Sequence, residues 1–284
     1  MQVEFVRFKA ADSVELQGWF SNAPGDVAVI HIHGMSGNGY ENYFLDSLRD
    51  TYVPAGVAFF SIDTRGRGIV SAFRQGKDTK LGGSCFEIFE ESVHDIQGAL
   101  DYLKSLGKTR FILEGHSLGC TKVVNYCLTN DTTDISKVVL LAPTDMTGWA
   151  KMEPEHEAYL MKAKQLLSEG KGEELVDAQC WLDKTPLSAQ TYPTICEAGS
   201  SADIYGDRKG GALLSRLDIP TLIVYGTTDM GITRIDGSIE KWQARTEAIK
   251  NQQTRIATIA GASHGFRGYE DKLAGIVEQF VEAN

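Results

Sequence analysis

The chain lacks several features that would place it outside the class of acidic globular proteins. No apolar run approaches the length of about 18 residues that a membrane-crossing helix needs. Its five cysteines, Cys85, Cys120, Cys127, Cys180 and Cys196, are odd in number and form no C-x-x-C pair or Cys/His spacing suited to zinc. Neither a disulfide framework nor a structural metal is therefore expected, and free thiols in a reducing, cytoplasmic setting fit best. Basic residues are in deficit: 28 Lys and Arg stand against 38 Asp and Glu, a formal net charge of -10. Such a surface repels nucleic acid and anionic membranes, so neither is an expected partner. The first ten residues alternate like a strand and show no charged segment leading into an apolar one, so no signal peptide is expected there. Repeats and low-complexity tracts are also missing.

What is present is enough apolar material, 42% of 284 residues, for a large core. The length suits one domain carrying an insertion. Residues 3–9 and 14–20 alternate as two strands joined by a turn at 11–13. The rhythm then changes to short continuous apolar runs at 27–32, 57–62, 110–113, 138–141, 221–224 and 255–259, as expected for strands buried on both faces of a parallel sheet. Between them lie helical stripes, such as Phe86, Phe89, Val93, Ile96, Leu100 and Leu103, and later Leu273, Ile276, Val277 and Phe280. The alternation predicts an α/β fold: a mostly parallel central sheet with helices on both faces.

One interval, 145–217, breaks the alternation. It shows no strong strand, a helical stretch over 149–167 and an irregular one over 186–211. It is expected to be a mainly helical cap inserted between a core of 1–144 and its continuation at 218–284. Its aromatics Trp149, Tyr159, Trp181, Tyr192 and Tyr205 are candidates to line an apolar pocket, with Trp149, Trp181 and Tyr192 foremost, or else to anchor the cap.

The most informative residues are Gly115-His116-Ser117-Leu118-Gly119, between the apolar run at 110–113 and a small-residue-rich helical stretch at 120–128. A serine on a sharp strand-to-helix turn, with glycines two residues either side to relieve crowding, projects its hydroxyl above the sheet as a nucleophile. A glycine-rich chain yields G-x-S-x-G by chance about one time in six, so the context carries the weight. A serine hydroxyl needs a base, and imidazole is suited to neutral pH. His264, in the loop after the last run, can be carried back over the sheet's edge. His31 falls in a strand, His94 on a polar helix face and His156 in the cap, and these three are expected to be structural or solvated; His33 and His116 belong to other motifs.

An acid must orient that base. Asp229 follows the run at 221–224 and is the preferred candidate; Asp145, after the preceding run, is its rival. Asp203, Asp207 and Asp218 are expected to be ordinary polar surface. The loop His33-Gly34-Met35-Ser36-Gly37 follows the 27–32 run and can place a backbone N–H as an oxyanion donor, with the Leu118 N–H as the second. It lacks the lysine and spacing of a P-loop and carries no G-x-G-x-x-G. Five basic residues at 65–80 form a loop expected to be solvated, the alternative being a greeting for an anionic substrate.

The HG of His33-Gly34, the segment 63–68, GHSLG, GTTD ending at Asp229 and GASHGF around His264 together resemble an α/β-hydrolase. Within that superfamily the motifs are most similar to small serine esterases of the cinnamoyl and feruloyl esterase type. The resemblance implies Ser117 as nucleophile, His264 as base, Asp229 as acid, Met35 and Leu118 as oxyanion donors, and no cofactor or metal. It implies cleavage of a small or medium carboxylic ester through an acyl-enzyme. Thioesterase, acyltransferase, aminopeptidase and carbon–carbon hydrolase activities use the same triad, and a ligand sensor retaining it is a further alternative; aspartate-nucleophile chemistries are disfavoured by the serine at 117. The sequence departs from the pattern at Cys120, where a second glycine is common. Oligomeric state is not legible.

Overall fold

The computed structural model describes residues 2–181, 185–206 and 211–283. Its main sheet has eight strands: β1 (Glu4–Lys9), β2 (Glu15–Ser21), β3 (Val27–Ile32), β4 (Ala58–Ile62), β7 (Arg110–His116), β8 (Ile135–Leu141), β11 (Thr221–Gly226) and β12 (Thr254–Ile259). Four further strands form two hairpins, β5 (Ser71–Gln75) with β6 (Asp78–Gly82) and β9 (Leu175–Trp181) with β10 (Thr185–Ser188). The sheet order is β1-β2-β4-β3-β7-β8-β11-β12. The first two strands pair antiparallel, β2 meets β4 antiparallel, and every later pairing is parallel. The expected α/β class is therefore observed.

Helices α1 (Phe44–Tyr52), α2 (Ser92–Ser105), α3 (Leu118–Thr129) and α9 (Glu270–Glu282) flank this sheet. Their placement follows from strand alternation on β4. Phe59 stacks on Tyr52 of α1, whereas its neighbour Phe60 packs against Tyr102 of α2. Successive strand residues point to opposite faces, so α1 and α2 cover opposite sides. All five residues of β4 are buried, which explains a continuous apolar run rather than an alternating one.

The interval 145–217 holds α4 (Met146–Ala150), α5 (His156–Ser168), the β9–β10 hairpin, α6 (Thr191–Cys196) and a short turn of helix at Leu213–Arg216. The hairpin adds two short strands to an interval in which no strong strand was expected. The helical stretch expected over 149–167 is broken between α4 and α5. The elements from α4 to α6 share an apolar cluster of their own, which includes Trp149, Trp181, Tyr192 and Ile195 and reaches the main body at Phe89 and Leu118, whereas Leu213 and Leu214 belong to the main core. Polar contacts add to the attachment: the Cys85 carbonyl accepts from Ser188 N–H and from the Thr191 hydroxyl, each at 2.9 Å.

The 65–80 segment is solvated as expected at Arg74 and Lys77, which are exposed, and differs elsewhere. It is largely a hairpin, and Arg65 is not solvated but 2% exposed. Its guanidinium donates to Asp95 (2.7 Å) and Glu91 (2.6 Å) and pairs with Asp12 (3.0 Å). Lys80 reaches the same Glu91, and Arg67 pairs with buried Asp63 at 3.0 Å. Asp203, expected at the surface, is buried and accepts from the Thr147 hydroxyl and from Gly199 and Gly206 N–H. Asp218 is exposed as expected, and Asp207 lies outside the described residues.

Removing one member of a buried charge network leaves the other charge without compensation, a loss of about 3–5 kcal/mol. Arg65→Ala should therefore lower the urea midpoint by that equivalent with the slope unchanged, because Asp95 is fully buried. A shift below about 1 kcal/mol would mean that water replaces the guanidinium at no cost.

Candidate active site

Ser117 stands between the end of β7 and the first turn of α3, with φ 54° and ψ −123°, a region that side-chain-bearing residues rarely occupy. The turn is tight enough that a Cβ at Gly115 would lie 2.5 Å from Gly119 C and O. A Cβ at Gly119 would lie 2.1 Å from the Ile32 carbonyl oxygen, and one at Gly34 would lie 2.9 Å from Ser117 Cβ. Glycine at these three positions is thus a steric requirement of bringing β3's loop against the serine. Ser117 N–H donates to Leu141 O at 2.9 Å. Cys120, the departure from a second glycine, fits beneath the turn and donates its thiol to the Gly115 and Leu141 carbonyls.

β11 ends at Gly226 and delivers Asp229, 1% exposed, to the start of α7 (Met230–Asp236). Asp229 Oδ1 accepts from Gly231 N–H at 2.7 Å. Its Oδ2 lies 2.9 Å from Nδ1 of His264, which the loop after β12 carries. Because an ionised carboxylate only accepts, Nδ1 bears the proton and leaves Nε2 as the basic nitrogen. The rival, Asp145, is engaged elsewhere: Oδ1 caps α4 by accepting from Gly148 N–H at 2.8 Å, and Oδ2 pairs with Arg245 at 2.7 Å. The Ser117 hydroxyl lies 3.1 Å from that of Thr144, a neighbour that the sequence did not point to because it sits in another loop.

Two histidines fix the loops. His33 Nε2 accepts from Thr64 N–H at 3.0 Å, so the proton is on Nδ1, which donates to Gly34 O at 2.7 Å. Burial, with Lys122 nearby, pushes its pKa down to about 3, so the ring is neutral. His116 Nε2–H donates to the His264 carbonyl at 2.9 Å, and burial with the adjacent His264 ring lowers its pKa well below the usual value. His31, buried, pairs with Glu114 at 2.7 Å, and His156 meets the Tyr192 hydroxyl at 2.9 Å. Both are structural, as expected.

A cleft of about 300 Å³ opens over the serine, walled by Met35, Met146, Trp149, Trp181 and Met230, with Thr144, Gly231, Arg234 and His264 completing it. Trp149 and Trp181, two of the candidate pocket aromatics, line it. Tyr192 does not: it is fully buried in the apolar cluster beneath, held against His156, and is not among the described residues lining the cleft. Tyr205 is likewise buried, in the main core, with its hydroxyl 2.6 Å from that of Tyr225. Met35 lines the cleft with Ser117 and Leu118 follows the serine as the first residue of α3, and neither backbone N–H has an acceptor among the described residues. Among the described residues no cluster of three or more His, Cys, Asp or Glu is arranged to hold a metal, and no helix is long and apolar enough to cross a membrane.

A parallel sheet that presents a serine turn after β7, an acid after β11 and a histidine after β12, all at the strands' carboxyl edge, has the architecture of the α/β-hydrolases. The alpha/beta hydrolase family model matches residues 29–278, and the chain belongs to that family. Among solved structures it is similar to Est1E from Butyrivibrio proteoclasticus with ferulic acid bound, at 20% identity, TM-score 0.65, covering 96% of this chain and 97% of that one. The Pyrococcus furiosus esterase Pf2001 is similar at 16% identity, TM-score 0.61, with 99% and 91% covered. DcsB in complex with a substrate analogue is similar at 16% identity, TM-score 0.69, with 99% and 98% covered. At these identities the likeness is one of fold. No match was found among curated proteins.

The two neutral histidines predict an acid-sensitive fold. Unfolded histidine takes up its proton near pH 6.5 while His33 resists to about 3. Below about pH 6.5 the unfolded state therefore binds the extra protons, and stability declines as pH falls, by about 1.4 kcal/mol per pH unit for each such histidine. His33→Asn should reduce the pH slope of the unfolding free energy between pH 6 and 4 by about one proton. An unchanged slope would mean that His33 is protonated in the folded protein.

Proposed function

We propose that the protein is a serine hydrolase that cleaves small or medium carboxylic esters through an acyl-enzyme. The observation that carries this reading is the Asp229–His264 hydrogen bond at 2.9 Å on the same cleft as Ser117 at φ 54°. In this mechanism His264 Nε2 takes the Ser117 proton as the hydroxyl turns from Thr144 to the substrate carbonyl carbon. Asp229 holds the tautomer and stabilises the imidazolium. The tetrahedral oxyanion accepts from Met35 and Leu118 N–H, each worth about 2.7–4 kcal/mol in the transition state. His264 then protonates the departing alcohol, and a water activated by the same nitrogen releases the acid. The likeness to Est1E, which binds ferulic acid, and to the esterase Pf2001 supports an ester substrate, and the apolar walls support one with an apolar or aromatic portion. The 145–217 insertion acts here as a substrate cap through Trp149 and Trp181. Five cysteines, all free, support a reducing, cytoplasmic setting.

Ser117→Ala should abolish ester turnover and fluorophosphonate labelling while the thermal midpoint stays near that of the wild type; labelling at a different serine would remove the assignment. Asp229→Asn should lower kcat by about a thousandfold or more, since an amide cannot stabilise imidazolium. Asp145→Asn should cost less than about tenfold in kcat and act mainly on stability through Arg245. The reverse ordering, read from initial rates on an activated short-chain ester, would move the acid to the loop after β8.

A further inference from the structure

On the serine-hydrolase reading, we propose that Arg234 makes this cleft selective for esters that carry an anionic group, carboxylate or phosphate, remote from the scissile bond. The walls are largely apolar apart from the reacting groups and the Thr144 hydroxyl, and Arg234 is the one permanently charged side chain among the described residues lining them. It stands in a protein of net charge -10, so a cation at this mouth does not follow from a generally basic surface.

The acids around it are engaged with other partners. Asp229 binds His264 and Gly231 N–H, and Asp145 and Asp236 both pair with Arg245, at 2.7 and 2.8 Å. Among the described residues Arg234 has no carboxylate partner. Its guanidinium lies 5.5 Å from the Trp149 ring centroid, a cation–π placement that restrains the side chain and leaves the donors on its edge free for a ligand. The buried Trp149 indole N–H has no acceptor among the described residues and adds to the positive potential of this wall.

Position ties this cation to the chemistry. Arg234 lies on α7, the helix that Asp229 caps, so one short element holds both the acid that orients His264 and the group that would hold the far end of the substrate. A remote charge anchored there helps to set the carbonyl over Ser117, the means by which distant binding energy raises kcat/KM. Guanidinium is more weakly hydrated than ammonium and matches carboxylate and phosphate in a fork, so arginine is suited to an anion beside apolar walls.

The test uses three p-nitrophenyl esters of one eight-carbon acyl chain, ending in carboxylate, phosphate or neutral carboxamide, with wild type, Arg234→Gln and Arg234→Lys. Wild type should favour at least one anionic ester over the carboxamide by about tenfold in kcat/KM, expressed chiefly in KM and shrinking as salt is raised. Arg234→Gln should bring the ratio near one, and Arg234→Lys should restore part of it. Which anion is favoured identifies the source of the charge. Equal losses on charged and neutral esters in Arg234→Gln, or no anionic preference in wild type, would overturn the proposal. If no ester shows Ser117-dependent turnover, the hydrolase reading fails separately. Titration of the corresponding acyl amides into Ser117→Ala then judges the anion site alone: charge-dependent binding lost with Arg234→Gln supports it, and charge-independent binding overturns it.

Discussion

Three backbone segments meet at Ser117 with no room for side chains, and this crowding sets the geometry of everything above the sheet. β3's loop, the end of β7 and the first turn of α3 approach so closely that Cβ atoms at 34, 115 or 119 would overlap main-chain or serine atoms. The unfavourable φ of Ser117 is of a kind that costs about 1–3 kcal/mol and persists only where the surroundings over-determine it. Here they do: its N–H is tied to Leu141, and the Cys120 thiol bridges the Gly115 and Leu141 carbonyls from below. The consequence is a serine held at the carboxyl edge of the sheet, with Met35 on the same cleft and Leu118 opening the helix behind it.

Beneath that turn, buried polar groups connect loops that belong to different strands. His33 links the loop after β3 to Thr64, and the Thr64 hydroxyl also meets Lys122 on α3, whose ammonium pairs with buried Glu87 at 2.6 Å. Next to them Arg65 fastens the same loop to Asp95 on α2. Buried ion pairs contribute little net stability once desolvation is counted. What they supply here is fixed position, since each charge would be stranded if its loop moved. His116 extends the arrangement to His264, so the residue preceding Ser117 in sequence sets the height of the imidazole loop.

The parts that were legible in the sequence are those whose cause is local. Runs such as 58–62 are apolar throughout because a central parallel strand is buried on both faces, and the serine turn, GTTD and GASHGF each keep backbone requirement and functional residue within a few positions. The parts that were not legible depend on distant partners. Arg65 resembles any charge in a basic stretch until Asp12 from the β1–β2 turn, Glu91 from the turn before α2 and Asp95 from α2 converge on it. Tyr192 is a plausible pocket aromatic by composition, yet His156 supplies its hydrogen bond 36 residues away and draws it into the cluster beneath. The β9–β10 hairpin pairs with a shifted register, so its strands carry no clean alternation to find. Thr144 gave no signal because a lone threonine after a strand has many uses.

The cleft over Ser117 is built from two cores. Ser117, His264, Asp229 and Met35 come from loops rooted in the sheet, whereas Trp149 and Trp181 belong to the apolar cluster of the 145–217 interval. Leu118 is the point of overlap: it follows Ser117 in the chain, and its side chain packs into that cluster. A change in the interval that leaves Leu118 packed can therefore reshape the walls without moving Ser117. A change that unseats Leu118 reaches the first turn of α3, and with it the strained turn that holds the serine.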